Sequence, residues 1–319
     1  MLWLKILLAV LETLLGLIVI LGIVVFALAI QRPKKRRPPK DDWGIRRQKI
    51  REQNNAALFA RSPEDVSIET PDGLTLRGWF LPAKEPTKRL VICIHGHNCN
   101  GPDEFSLMMP FYHEKLGYHY FLPDLRGHGR SDGKYLTFGA RDYKDILQWM
   151  DYFIARLGAD VEIIVHGISM GAATTMLTNS ANPPEQMKLA IEDCGYTSAY
   201  EVIHNTFIDL FHFPCPPVML VAGLLMRIFA GFRLRDADCL GKMPNAKNPV
   251  LFLHGAKDTF VPTRMGIALH EACPTPKELL LIEGDGHAAS YYNDPALYEE
   301  TVTRFIRENN MEAKNAQLL

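Results

Sequence analysis

Apolar and polar positions fall into distinct regimes along the chain. From Leu2 to Ile30 the sequence is almost wholly apolar, and Thr13 to Ile30 carries no charge for eighteen residues. As a helix, those eighteen residues would rise roughly 27 Å, enough to cross a bilayer with help from the residues before Thr13. A cleaved signal peptide is the competing reading, but the run is long for one and a basic stretch before it is nearly absent. Residues 1–30 are therefore expected to be an uncleaved transmembrane anchor. Residues 31–60 read as a basic, Pro-rich linker (Gln31 to Lys40) followed by a polar, partly helical connector from Trp43 to Phe59.

Residues 61–319 read as the folded domain. Asp65 to Thr70 and Leu74 to Leu81 alternate on either side of Asp72-Gly73, which predicts a β-hairpin. Arg89 to His95 is a continuous apolar run, the pattern of a strand buried on both faces. Similar runs recur at 118–122, 161–165, 189–192, 250–254 and 278–282, separated by helical patterns at 105–116, 140–156, 170–180, 264–272 and 296–307. This alternation predicts an α/β fold, a mostly parallel sheet covered by helices on both faces with the hairpin as its antiparallel edge. Tyr196 to Asn248, about fifty residues, breaks the rhythm. It is rich in Phe, Leu and Met and punctuated by Pro214, Pro216 and Pro217. It is too long for a simple connection and reads as a small helical cap over the C-terminal edge of the sheet. Val218 to Phe232 is too short and too bounded by Pro and Arg227 for a second span, and reads as a cap helix.

Net charge is −1, but it is unevenly spread: the first 51 residues are strongly basic and the remainder acidic. An acidic body without a basic face argues against nucleic-acid binding. The cations after the apolar run place the downstream domain in the cytoplasm by the positive-inside bias, although many N-terminally anchored domains are exported. They would also rest against anionic headgroups. Six cysteines are scattered without metal-ligand spacing or a disulfide framework.

The chemistry centres on Val161 to Met176. An apolar run reaches Gly167-Ile168-Ser169-Met170-Gly171 and turns into a small-residue helix, the strand–turn–helix setting of a nucleophile elbow. An ordinary Gly-rich turn is the bland alternative. A serine nucleophile needs a base, a group to orient that base, and donors for an oxyanion. Asp258 follows the strand 250–254, and His287 follows the strand 278–282, so both loops open on the edge where Ser169 emerges. Asp193 is a rival acid and Asp285 a rival neighbour of His287. The expected oxyanion donors are the backbone N–H groups of Met170 and His97, with Asn98 in reserve for the latter. His95 reads as structural, His128 as organising its own Gly-rich loop, and His166 as packing under the elbow.

His95-Gly96, Asp124-x-Arg-Gly-His-Gly-x-Ser, Gly167-x-Ser169-x-Gly171, His-Gly-x-x-Asp258 and Gly-x-Gly-His287 together resemble the serine α/β-hydrolase superfamily over about residues 64 to 310. The apolar start, Asp193 to Ser198 and His287 to Tyr292 are similar to a bacterial membrane-anchored esterase- or lipase-like branch. The resemblance implies an α/β-hydrolase fold with ester, thioester or amide hydrolysis and no metal or organic cofactor. The leading expectation is hydrolysis of a small or lipid-like carboxylic ester through an acyl-enzyme on Ser169. A thioesterase, peptidase or acyltransferase with the same residues is the alternative. A non-catalytic membrane-tethered binding protein is the reading from another class.

Overall fold

The computed structural model describes residues 1–32, 42–214 and 216–309, apart from the side chain of Asp285. The basic stretch 33–41 and Cys215 lie outside the described residues. Helix α1 is Leu2–Ile30 and α2 is Asp42–Phe59. Eight strands follow in one sheet: β1 (Glu64–Glu69), β2 (Thr75–Leu81), β3 (Arg89–Ile94), β4 (His119–Pro123), β5 (Glu162–Ile168), β6 (Met187–Asp193), β7 (Val250–Lys257) and β8 (Lys277–Asp285), in spatial order β1-β2-β4-β3-β5-β6-β7-β8. β2 is antiparallel to both its neighbours, and β4 to β8 run parallel through β3. The remaining α-helices are α3 (Gly101–Phe105), α4 (Asp142–Leu157), α5 (Met170–Asn179), α6 (Ala199–Phe211), α7 (Pro216–Leu225), α8 (Cys239–Lys242), α9 (Thr263–Ala272), α10 (Ser290–Asn293) and α11 (Pro295–Glu308).

The two-residue period of a strand splits the core into two layers. On one face Leu90, Ile92 and Ile94 of β3 pack with Ile163, Phe252, Trp149 and Phe153. On the other, Val91 and Cys93 pack with Ile164, Leu251, Phe105, Val302 and Phe305. The hydrophobic runs of β3, β5 and β6 follow from this, since strands buried on both faces favour apolar residues throughout, and buried polar exceptions such as His166 and Asp193 are hydrogen-bonded.

Three departures from the sequence pattern have physical causes. The helix expected over 105–116 is instead a short α3, a 3₁₀ turn at Ser106–Met108 and a π-turn at Pro110–Lys115, because Pro110 has no N–H to continue the helical ladder. α2 is a complete helix with Leu58 fully buried, so the connector packs on the domain. The single cap helix expected over 218–232 becomes α7 followed by a π-turn, Met226–Ala230, and ends at Gly231 in the left-handed region.

The site edge depends on one close approach. A Cβ at Gly171 would lie 1.9 Å from the Ile94 carbonyl oxygen, and one at Gly167 would lie 2.1 Å from the Gly171 carbonyl oxygen. No rotamer relieves a clash with backbone. Gly171→Ala should therefore cost about 3 kcal/mol or more of stability. Thermal unfolding of the full chain in detergent measures this; an unchanged midpoint would show that the turn yields where these distances say it does not.

Candidate active site

Ser169 sits at the turn between β5 and α5 with φ 57° and ψ −113°. A non-glycine residue held there costs on the order of 1–3 kcal/mol, maintained only by its surroundings. The surroundings here are the Ser169 N–H, which donates to the Asp193 carbonyl at 2.8 Å, and its carbonyl, which accepts from Ala173 at 3.0 Å.

The structure brings Ser169, His287 and Asp258 into one hydrogen-bonded line. His287 Nδ1 donates to Asp258 Oδ2 at 2.7 Å. That fixes the tautomer, so Nε2 accepts from the Ser169 hydroxyl, also at 2.7 Å. The other Asp258 oxygen, Oδ1, accepts the backbone N–H groups of Phe260 and Val261, each at 3.0 Å. The carboxylate is therefore held at one end by the chain and presents the other to the imidazole. Phe260 packs its ring against His287, with centroids 5.0 Å apart.

Met170 and His97 lie with Ser169 around an apolar cavity of about 150 Å³. The His97 ring donates from Nε2 to the Ala29 carbonyl at 2.8 Å, and burial lowers its pKa. Asn98 has φ 56°. His95 lies beneath: Nδ1 donates to the Gly96 carbonyl at 2.8 Å and Nε2 accepts the Leu125 N–H at 3.0 Å. His128 donates from Nδ1 to the Arg126 carbonyl at 3.0 Å, within its own loop.

Asp193, the rival acid, does not reach His287. Its carboxylate accepts from Ser290 Oγ at 2.9 Å and Tyr298 Oη at 3.1 Å, and burial pushes its pKa up to about 6. The side chain of Asp285, the rival neighbour, lies outside the described residues.

A model of the Alpha/beta hydrolase family matches residues 91–301. The chain belongs to that family. Among its relatives, YqkD of Bacillus subtilis, itself an uncharacterized protein, is 26% identical over 243 residues, covering 76% of this chain and 79% of YqkD. The protein bem46 of Schizosaccharomyces pombe is 25% identical over 260 residues, covering 79% of each. Among solved structures, the Pyrococcus furiosus esterase Pf2001 superposes with a TM-score of 0.63 at 21% identity, covering 79% of this chain and 93% of that one. Est1E from Butyrivibrio proteoclasticus, solved with ferulic acid bound, gives 0.58 at 21% identity over 76% and 98%. These structures share the fold, and family and fold are those of hydrolases.

In this alpha/beta hydrolase a polar chain runs under the elbow. Tyr112 donates its hydroxyl to His166 Nδ1, and His166 Nε2 donates to the Tyr298 oxygen, each at 2.9 Å. Tyr298 in turn donates to Asp193. Burial lowers His166 to about 3, so the ring is neutral. Cys194, Asp258 and His287 also come within 4.8 Å of one another, a grouping that could suggest a metal. His287 and Asp258 of this group are already bonded to each other, and burial, followed by the neighbouring Asp193 and Asp258 carboxylates, raises the Cys194 pKa.

The sequence pattern did not point to a clamp on the His287 loop. Arg47 of α2 donates to the Ala288 carbonyl at 3.0 Å and pairs with buried Glu104 at 3.1 Å, which Arg51 also reaches at 3.3 Å. Burial alone would raise the Glu104 pKa, but the two guanidiniums outweigh it and hold the carboxyl down at about 2. A depressed carboxyl stabilises the fold above the ordinary glutamate value, and this contribution is lost as pH falls toward 2. Its size is on the order of 3 kcal/mol. Glu104→Gln should be less stable at pH 7 and should show a flatter loss of stability between about pH 5 and pH 3. Urea midpoints across that range check this, and parallel slopes for the two proteins would refute it.

Proposed function

We propose that this chain is a serine esterase that transfers an apolar acyl group to Ser169 and then to water. The observation that carries the reading is the line Asp258–His287–Ser169, with both links at 2.7 Å, at the edge of an apolar cavity. As the Ser169 oxygen attacks the ester carbon, His287 Nε2 takes the hydroxyl proton and Asp258 stabilises the resulting imidazolium. The carbonyl oxygen becomes an oxyanion, for which the Met170 and His97 backbone N–H groups are the proposed donors. Each such donor is worth roughly 3 kcal/mol in comparable sites. Collapse breaks the ester C–O bond, and His287 returns its proton to the departing alcohol. A water then attacks the acyl-enzyme by the same steps, releasing the acid and restoring the serine. The description of Pf2001 as an esterase and the ferulic acid in Est1E support ester chemistry.

Full-length protein treated with a fluorophosphonate probe should label at Ser169, and Ser169→Ala should not. Asp258→Asn should lower kcat on a soluble ester by about 10⁴-fold by allowing the wrong imidazole tautomer. Equal labelling of parent and Ser169→Ala would sink the mechanism.

We also propose that residues 1–30 are retained as an anchor, with residues 61–319 forming the hydrolase domain and 196–248 its cap, on the cytoplasmic side. The Leu136 N–H donates to the Ile30 carbonyl at 2.7 Å, a contact that cleavage after residue 30 would discard. A reporter fused after Leu319 should read a cytoplasmic terminus; an external signal reverses the placement.

A further inference from the structure

As an anchor, α1 would need only to be long and apolar, yet its second half is built into the site. Gly22, Val25, Phe26 and Ile30 are buried at helical spacing on one face. A Cβ at Gly22 would lie 2.5 Å from Val221 Cγ1 of α7, so the α1 backbone lies directly against the Val221 side chain. Phe26 packs its ring at a tilt against Tyr135 and Phe229, each with centroids 5.8 Å apart. Beyond this contact, Val24, Val25, Leu28 and Ala29 line the cavity at Ser169, facing Phe207 and Leu210 of α6. The Ala29 carbonyl accepts the hydrogen bond from His97, tying the helix end to the proposed oxyanion loop.

The charge register then fixes where this wall sits. The uncharged stretch, Thr13 to Ile30, has eighteen residues and rises roughly 27 Å, about the thickness of the hydrocarbon layer. Shifting the span toward the N-terminus would draw Glu12 deep into that layer, which is costly. The stretch Gly22 to Ile30 therefore lies within the apolar layer or at its boundary, and whatever packs against it is carried there too. α7 and its π-turn match that environment. Leu220 is 76% exposed, Leu224 54%, Ile228 61% and Phe229 56%, and the first three follow at four-residue intervals on one face. The outer half of α1 presents the same kind of surface, with Leu11, Leu14 and Leu15 all exposed.

We propose, building on the esterase reading, that the last turns of α1 form one wall of the acyl pocket and, with the exposed face of α7, open it to the bilayer. The ester would then enter acyl chain first from the lipid phase. A cavity of about 150 Å³ encloses a group about the size of benzene. A long acyl chain must therefore extend past Leu28 into the lipid, while a short one fits inside.

The test uses the full chain in phospholipid nanodiscs and p-nitrophenyl esters from acetate to palmitate. Leu28→Trp, which narrows the mouth, should lower the palmitate-to-acetate ratio of kcat/KM at least ten-fold. Leu14→Trp, on the same helix but remote from the pocket, should leave the ratio unchanged. Ile228→Trp should add tryptophan fluorescence that brominated acyl chains quench. Fluorophosphonate labelling is read on every protein. An unchanged ratio in a labelled Leu28→Trp, or no added quenching at position 228, overturns the proposal and leaves the esterase reading intact. Loss of labelling in the parent overturns the esterase reading and this inference with it.

Discussion

The site rests on a backbone-to-backbone contact in which α5 crosses β3 at Gly171 and turns back on β5 at Gly167, closer than any side chain allows. Ser169 is forced between these glycines into a positive-φ conformation. A serine would not remain there unaided. Its N–H and carbonyl are both satisfied by neighbours, so relaxing the turn would leave buried polar groups without partners, which costs more than the strain itself. The elbow is thus a consequence of packing, and it places the hydroxyl at the mouth of the cavity. The remaining requirement is that two loops from β7 and β8 end at the same height.

Those loops are held by different means. Asp258 is fixed locally, because its own loop returns two N–H groups to Oδ1. His287 is fixed from a distance. Ser290, just beyond it, bonds to Asp193, which is joined through Tyr298 to His166 and Tyr112. Above, Arg47 holds Ala288 while pairing with Glu104. Each buried polar group is costly to desolvate alone, and a connected network offsets that cost while specifying one arrangement. The protonation states agree along the chain: the neutral His166 ring accepts from one tyrosine and donates to the other.

The sheet was legible in the sequence because strands buried on both faces favour apolar runs, and β3, β5, β6 and β7 carry them through most of their length. Ser169, Asp258 and His287 were legible as neighbours because each follows such a run, and parallel strands deliver their C-terminal ends to one edge. What was not legible depends on contacts between remote segments. Nothing in Trp43 to Phe59 announces that Arg47 reaches a carbonyl 241 residues away. Nor does the sequence around Glu104 announce that Arg47 and Arg51 meet its buried carboxylate. Pro110 was visible, but that the chain would resume as a π-turn follows from packing over β4, which no local pattern encodes.

The N-terminal helix shows the same limit most sharply. Its composition announces length and apolarity, properties equally suited to a tether with no other task. Only the fold distinguishes a tether from a structural element, by spending Gly22 on an approach to α7 and burying Val25, Phe26 and Ile30 in the core that also contains Ile94 and Met170. A free tether would leave the domain indifferent to its loss. Here removal of α1 would expose apolar surface on α7 and leave the His97 ring without its carbonyl acceptor. The stability of the domain and the shape of its cavity are therefore coupled to the same helix. In the proposed enzyme, the membrane-facing element and the substrate-facing element are two faces of one segment.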